Sequence, residues 1–233
     1  MGTVLLKALS FVLIIVLGYV LKKLVFKNPK DHQIVAFILL NVTLPATVIH
    51  AFGTFRRDAS LFLIIAIGFL CAVIPMLFVY LISRHQKKDK RAFSMINVCG
   101  FNIGCFALTF VQNFFGPVGM IIACLFDIGN AFIVTGGSFA FTSTVLQTNP
   151  DEKQSVGTLL KKFVSSIPFD TYMLMLVLVM LNIPVPDVVI TLVEPIASAN
   201  SFFALLLIGM MFEFRTRADK YRTMFGVLGL RLL

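Results

Sequence analysis

Residues 93–146 decide the fold, and they read FSMINVCGFNIGCFALTFVQNFFGPVGMIIACLFDIGNAFIVTGGSFAFTSTVL. Asp127 is the only charged residue in this stretch. A helix rises about 1.5 Å per residue and the apolar core of a bilayer is about 30 Å thick, so the stretch is long enough to cross a membrane twice. We expect a turn at Asn113-Phe114-Phe115-Gly116-Pro117, because glycine and proline interrupt helices. This gives one span over residues 93–112 and another over 118–146.

The composition of the whole chain also indicates a membrane protein. Of its 233 residues, 58% are hydrophobic and only 13% are charged. An average soluble domain has roughly 25% charged residues, which it needs to cover its core. The composition therefore argues against a soluble enzyme, a nucleic-acid-binding protein and a disordered chain.

Apolar segments on both sides of this stretch extend the pattern. At about 20 residues per crossing, five further spans are predicted, over residues 4–21, 33–52, 59–83, 168–183 and 188–212. An eighth apolar segment, 224–233, is too short to cross. We predict an all-α polytopic membrane protein with about seven complete spans and a truncated eighth. We expect this chain to be a fragment of a longer protein, or else its tail to lie on the cytoplasmic surface.

Lysine and arginine are distributed unevenly between the loops, which predicts an orientation. The loops after spans one, three, five and seven hold 16 of the 20 basic residues, and those after spans two, four and six hold two. Basic loops stay in the cytoplasm. We therefore predict a multi-pass protein of the cell membrane with its amino terminus outside. The formal net charge of +9 then reflects orientation in the lipid bilayer, and no nucleic-acid partner is expected.

Asp127 is the strongest candidate for a functional residue. An ionisable side chain about ten residues into a span is costly unless it has a role, such as carrying a proton or holding a cation. Asn130 follows at i+3 and so lies on the same helix face. The alternative is a structural carboxyl group that is hydrogen-bonded to neighbouring helices, or one that lies nearer the membrane interface.

Asn41-Val42-Thr43-Leu44-Pro45 interrupts the second span. Pro45 has no backbone N–H and its ring clashes with the carbonyl of Asn41, so a kink or a break is predicted there. Freed carbonyl groups in a membrane need partners or a water-lined cavity. The alternative is a kink that serves only helix packing.

Cys99-Gly100-Phe101-Asn102-Ile103-Gly104-Cys105 lies in the fourth span. Gly100 and Gly104 allow close approach of another backbone. Asn102 lies between them, and Thr109 follows two turns later. Interrupted helices of transporters present backbone and amide groups to a substrate in this way, although a helix-packing motif is the alternative.

The sequence contains no enzyme constellation. Gly-x-Ser-x-Gly, His-Glu-x-x-His and phosphate-loop patterns are all missing. The three histidines lie near span ends, and the four cysteines have no metal-binding or disulfide spacing. We therefore predict no catalytic residues, no metal site and no cofactor.

Seven short motifs, in this order, resemble the auxin efflux carrier family of permeases. They cover nearly the whole chain and are Leu17-Gly18-Tyr19, Asn41-x-x-Leu44-Pro45, Asn102-x-Gly104, Phe115-Gly116, Phe126-Asp127-x-x-Asn130, Pro184-x-Pro186 and Leu207-Ile208-Gly209. The family is similar to bile-acid sodium symporters. It implies ten spans in two inverted five-helix repeats, whose fourth and ninth spans are discontinuous and cross in the middle of the membrane. Residues 1–150 would then form the first repeat and 151–233 an incomplete second one.

The resemblance also implies a function. Bacterial members of the family move organic anions such as malate or malonate, so a secondary transporter working by alternating access is expected. Substrate binding would fall to Asn102, Gly104 and Thr109, with Asn41 and Pro45 lining the cavity. Asp127 and Asn130 would support the site or hold a coupling proton or sodium ion.

Three further points accompany the resemblance. Threonine stands at position 109 where the family pattern has proline, and a bend is expected there if Thr109 bonds a carbonyl one turn back. The alternative function is a truncated, non-transporting membrane protein or an interaction scaffold.

The sequence leaves open whether two copies of the chain form a homodimer.

Overall fold

The structure is a computed structural model that describes residues 2–26, 28, 30–53, 62–147, 165–213 and 218–231. These described residues contain helices and no strands. The α-helices within these ranges are α1 (Gly2–Leu24), α2 (His32–Ile38), α3 (Leu44–Gly53), α4 (Phe62–Ile82), α5 (Lys88–Val98), α6 (Leu108–Phe114), α7 (Gly116–Phe132), α8 (Ser138–Leu146), α9 (Ile167–Met180), α10 (Asp187–Met211) and α11 (Ala218–Arg231). Three π-helical turns, Leu39–Thr43, Ile103–Ala107 and Ile133–Gly137, join α2 to α3, precede α6 and join α7 to α8.

Five helical segments among the described residues are long and apolar enough to cross a membrane. They are Val4–Leu24, His32–Gly53, Phe62–Ile82, Gly116–Leu146 and Asp187–Met211. Lys88–Val98 and Ile103–Phe114 meet at a bent break and pass the same test as a pair. The predicted class, a helical membrane protein, is therefore supported, whereas the count of seven spans stays a prediction.

Two predicted boundaries differ from the structure. The helix expected over 168–183 ends at Met180, because Asn182 has a φ of 55°, a left-handed conformation typical of helix C-termini. With 14 residues, this helix is too short to cross about 30 Å by itself. The last apolar segment, expected from 224, belongs to a helix that begins at Ala218. The basic residues expected between spans five and six lie outside the described residues.

Pro45 does not break the second span. The chain makes a π-helical turn over Leu39–Thr43, in which the N–H of Leu44 donates to the carbonyl of Leu39, and then continues as α3. A turn wider than an α-helical one moves the preceding carbonyl groups away from the proline ring. The expected interruption is thus a bulge in a continuous helix.

The predicted turn between the fourth and fifth spans is confirmed. α6 ends at Phe114 and α7 begins at Gly116, whose φ of 68° is in the region that favours glycine. A Cβ atom added at Gly119 would lie 3.3 Å from Cγ1 of Val111. In a straight helix these positions, eight residues apart, would be about 12 Å apart. The chain therefore folds back on itself here.

The chain forms two compact units. The first unit comprises Met1–Arg57, Asn102–Cys124 and Thr171–Phe214. In this unit α1 and α10 run parallel, because Gly18 lies against Gly209 and Lys22 forms an ion pair of 3.6 Å with Glu213. Parallel helices are expected for two spans that are each followed by a basic loop. The core of this unit includes residues from α2, from the π-helical turn after it and from α10, namely Val35, Leu39, Ala204, Leu206, Leu207 and Met210.

The second unit comprises Asp58–Phe101, Leu125–Asp170 and Arg215–Leu233. α4 and α7 approach closely in this unit, because a Cβ atom at Gly68 or at Gly129 would collide with the backbone of the other helix. α11 packs through Val227 and Leu230 against a core of α4, α5 and α8 side chains, namely Val79, Met95, Val98 and Leu146. The predicted repeat boundary after residue 150 concerns chain order, not this spatial grouping, and stays a prediction.

Candidate functional site

The fourth predicted span is interrupted at Cys99–Asn102, which we call the break. Cys99 is extended, with φ −81° and ψ 153°, and Gly100 has a φ of 75°. A Cβ atom at Gly100 would also collide with the side chain of Val134, so both backbone conformation and space require glycine. Asn102 caps the next helical segment, its Oδ1 accepting a hydrogen bond of 3.2 Å from the N–H of Cys105. The predicted interruption beside Asn102 is therefore present.

Thr109 does not have the predicted bending role. Its side chain is completely buried, and no hydrogen bond to its hydroxyl group is found among the described residues. The bond to a carbonyl one turn back, which would bend the helix, is therefore not made. The interruption lies earlier, at Gly100, where the left-handed backbone ends α5 directly.

Asn130 holds the backbone of the break. Its Oδ1 accepts a hydrogen bond of 2.8 Å from the N–H of Phe101, and its Nδ2 donates one of 2.8 Å to the carbonyl of Phe101. Nδ2 also donates to Oδ1 of Asp127 at 2.9 Å, so the shared helix face predicted from the i+3 spacing is confirmed. Asp127 and Asn130 are 7% and 2% exposed. We call this group of Phe101, Asp127 and Asn130 the Phe101 clamp.

A cation lies on the other side of the same peptide segment. The Nη2 of Arg231 donates to the carbonyl of Gly100, and the guanidinium lies 5.9 Å from the centroid of the Phe101 ring. Gly100 directly follows the C-cap of α5, where the helix dipole favours positive charge. The sequence interpretation missed Arg231. The signal was available, because Arg231 is the only charged residue in the apolar segment 224–233.

The first unit contains a separate polar cluster that sequence reasoning also missed. The hydroxyl of Thr43 donates to Oδ1 of Asn200 at 2.9 Å, and the hydroxyl of Thr47 donates to the carbonyl of Thr43 at 2.8 Å. Asn200 is completely buried, and its Nδ2 has no hydrogen-bond partner among the described residues. Thr43 and Asn200 are 157 residues apart in the chain, so their spacing in the sequence does not predict this contact.

A second chain of polar contacts links α6 to α10 in the same unit. Nδ2 of Asn113 donates to the carbonyl of Thr109 at 2.8 Å and to the hydroxyl of Ser201 at 3.2 Å. That hydroxyl donates in turn to Oε1 of Gln112 at 3.3 Å. The position of Thr109, a predicted binding residue, is thus fixed through its backbone.

A cavity of about 230 Å³ opens beside these residues. It is lined by Thr47, His50, Ala51, Gln112, Gly116, Pro117, Met120 and Ala197. Because one water occupies about 30 Å³ of liquid, the cavity has room for several waters or one small organic acid. Asn41 and Pro45, predicted to line a cavity, lie on the preceding turns of the same span. The amide of Asn41 donates to the carbonyl of Phe37 in its own helix, and Pro45 is buried.

The described residues contain no cluster that fits a metal ion. No three His, Cys, Asp or Glu side chains among them come close enough to share one. Cys71 and Cys99 are free thiols. The groups at the break are therefore one carboxyl group, one guanidinium, one thiol, amide groups and backbone dipoles.

The chain was compared with models of protein families, with curated proteins and with solved structures, and no comparison found a match. The resemblance to the auxin efflux carrier family therefore depends on the seven motifs alone. Two of those motifs contain Gly18 and Gly209, which meet at the crossing of α1 and α10. Their order in the sequence does not predict this contact.

The buried pair of Thr43 and Asn200 provides a test of the polar cluster. Thr43→Val keeps the shape of the side chain but leaves the carboxamide of Asn200 without its hydroxyl donor. We expect the free energy of unfolding to fall by about 1–3 kcal/mol, the cost of an unsatisfied buried group. Denaturant unfolding of the purified protein in detergent measures this change.

A control variant and a double-mutant cycle test whether the effect of Thr43→Val comes from its contact with Asn200. Thr191→Val removes a hydroxyl that bonds the carbonyl of Asp187 in its own helix at an exposed position, so little change is expected. The double change Thr43→Val with Asn200→Leu is expected to cost less than the sum of the two single changes. Additive costs would show that the two side chains do not interact.

Proposed function

We propose that the chain is a permease of the auxin efflux carrier type that moves a small organic anion across the cell membrane. Malate- or malonate-like carboxylates are the proposed substrates, and alternating access at a broken helix is the proposed mechanism. The observation that carries the proposal is the break, which Gly100 opens and the Phe101 clamp holds.

The break supports transport because it carries a cost that a continuous helix would avoid. A continuous helix would satisfy the backbone groups of these residues by its own hydrogen bonds, so an interruption indicates a role other than folding. Inside a membrane, non-helical backbone is tolerated only where protein partners or a water-lined cavity satisfy it. Here a buried asparagine is used to satisfy Phe101, while Phe101 and Asn102 remain exposed. The clamp thereby leaves Asn102 exposed to a ligand, as polar groups are at the interrupted helices of secondary transporters.

The proposed roles follow from the chemistry of each side chain. Asn102, with the neighbouring backbone at Gly104, and Thr109 bind the carboxylate through N–H and O–H groups. Asp127 is the proposed site of the coupling proton, because a buried carboxyl group bonded to Asn130 loses or gains charge when it exchanges one. Asn130 keeps the break in shape during this exchange.

Uptake of labelled malate by proteoliposomes tests the proposal. Asp127→Asn keeps the size of the side chain but removes its proton-carrying group. Coupling between two ligands is typically worth about 5- to 150-fold, so malate uptake driven by an inward proton gradient is expected to fall by about tenfold. Uptake without the gradient is expected to change less.

Asp89→Asn is the matched control, because Asp89 is an exposed carboxylate in the first turn of α5 and is expected to leave uptake unchanged. If the unaltered protein moves no organic acid, the transporter proposal is wrong and a non-transporting membrane protein is favoured. If malate moves but Asp127→Asn behaves like the control, Asp127 does not carry the coupling proton.

A further inference from the structure

Arg231 lies at the end of α11, where its guanidinium contacts two residues of the break. It donates to the carbonyl of Gly100 and lies 5.9 Å from the centre of the Phe101 ring. The preceding residue, Leu230, packs with Val227 against the apolar core of α4, α5 and α8. Arg231 is the only charged residue in the second half of this helix, residues 224–231. A charged side chain at membrane depth is costly, and such residues usually mark a ligand pathway.

The contact with Gly100 does not by itself require a guanidinium. One N–H donor satisfies one carbonyl lone pair, and the guanidinium carries five N–H donors and a positive charge. The Arg231 side chain is also exposed, unlike Asp127 and Asn130, which are buried on the opposite side of the Phe101 backbone. The charge and most of the donors are therefore accessible to a ligand.

We propose that Arg231 is the residue that selects anions at the break, by pairing its guanidinium with a carboxylate of the substrate. The inference rests on the proposed function and assigns anion selection to a residue that contacts Gly100 and Phe101 of the break. A planar guanidinium matches the two oxygens of a carboxylate, whereas a single ammonium group or an amide does not. The positive charge of the guanidinium repels cations. Its two parallel N–H donors favour an ionised carboxylate over a neutral carboxylic acid.

The arrangement of charges in the second unit supports this assignment. With no ligand, the carboxyl group of Asp127 and the guanidinium of Arg231 lie on the two sides of one peptide segment and have opposite formal charges. A bound carboxylate adds one negative charge, which Arg231 compensates directly. Without Arg231, the added charge would face the buried Asp127 alone, which is unfavourable at low dielectric.

Three substitutions separate an anion-binding role from a structural one. Arg231→Lys keeps the charge and a donor, Arg231→Gln keeps a donor for Gly100 but no charge, and Arg231→Met keeps neither. Binding of malonate to the purified protein in detergent is measured by calorimetry, and malonate uptake by the unaltered protein is measured in parallel. Arg84→Gln, at an exposed position in the polar loop after α4, is the matched control.

We expect the Kd for malonate to rise by roughly 10- to 100-fold in both the Gln and the Met variant, since hydrogen bonds to charged groups are worth that much. The Lys variant is expected to lie between these and the unaltered protein, and Arg84→Gln is expected to match the unaltered protein. A structural role predicts a different order, with Gln equal to Lys and only Met affected.

Each outcome decides the inference. If Arg231→Gln binds malonate as tightly as the unaltered protein, or if only Met is affected, the inference is wrong while the proposed function stands. If the unaltered protein binds no malonate, the proposed function and the inference both fail. If it binds malonate in an Arg231-dependent way but transports none, the inference holds and the transport proposal fails. Should the Gln variant not fold, a folded Lys variant that binds malonate as tightly as the unaltered protein overturns the inference.

Discussion

Asn130→Ala is expected to abolish malate uptake and to lower the free energy of unfolding by about 2–4 kcal/mol. The substitution removes both hydrogen bonds to the backbone of Phe101, each 2.8 Å long, and the one to Asp127. Each unsatisfied buried group costs about 1–3 kcal/mol. The sum stays towards the lower end because Phe101 is 40% exposed and its backbone is only partly desolvated.

Uptake is expected to fall further than stability alone explains. The break works as a binding site only if its backbone groups are fixed before the ligand arrives. Without the clamp, the left-handed Gly100 and the residues after it are free to adopt other conformations. A protein that still folds would then present the carbonyl and N–H groups in the wrong directions.

Asn97→Ala is the matched control for this change. Asn97 is exposed on α5, and its side chain donates only to the carbonyl of Phe93 in the same helix, at 2.8 Å. Removing that bond leaves a helical carbonyl that keeps its backbone partner, so uptake and stability are expected to change little. Equal effects of the two substitutions on malate uptake would show that Asn130 does not hold the site.

Hydropathy predicts these helices because the length of an apolar segment is a property of the local sequence. A span expected over 33–52 is the helical segment His32–Gly53, and one expected over 118–146 is Gly116–Leu146. Bilayer thickness sets the length, while charged residues, Gly or Pro set the ends. Asn182 is the exception, since its left-handed conformation ends α9 early and no local pattern required it.

The location of helix interruptions was less predictable. Pro45 was the stronger sequence signal, yet the π-helical turn before it keeps the second span continuous. The sequence predicts close backbone approach at Gly100, and packing alone is one of its two interpretations, yet Gly100 ends α5 with a positive φ. Tertiary contacts determine the interruption at Gly100. Val134 leaves no room for a side chain there, and Asn130 supplies hydrogen-bond partners to the next residue.

The candidate functional residues also divide into those that local sequence predicts and those that depend on distant contacts. Asp127 and Asn130 were found because a charged and a polar residue one turn apart stand out in an apolar span. Arg231 was missed because its contact with Gly100 joins residues 131 apart in the chain. Sequence reveals a costly residue, but its partner depends on which helices pack together.

Gly209→Ala is expected to lower the free energy of unfolding by about 1–3 kcal/mol, the usual cost of overpacking. A Cβ atom at position 209 would collide with the carbonyl of Ile15 and lie 3.0 Å from the backbone N of Tyr19. A Cβ atom at Gly18 would lie 3.2 Å from Cα of Gly209, so the two glycines form the crossing of α1 and α10. Backbone atoms cannot move aside as the end of a flexible side chain can, so the helices must separate.

The same substitution at Gly226 is expected to have the opposite sign. Gly226 lies within α11 and has no atom within 4 Å of an added Cβ. Alanine there gains up to about 1 kcal/mol of helix propensity and meets no obstacle. Thermal unfolding of both variants in one detergent measures the contrast. If Gly209→Ala melts at or above the temperature of Gly226→Ala, the two helices do not depend on backbone contact. The Leu17-Gly18-Tyr19 and Leu207-Ile208-Gly209 motifs would then need an explanation other than close packing.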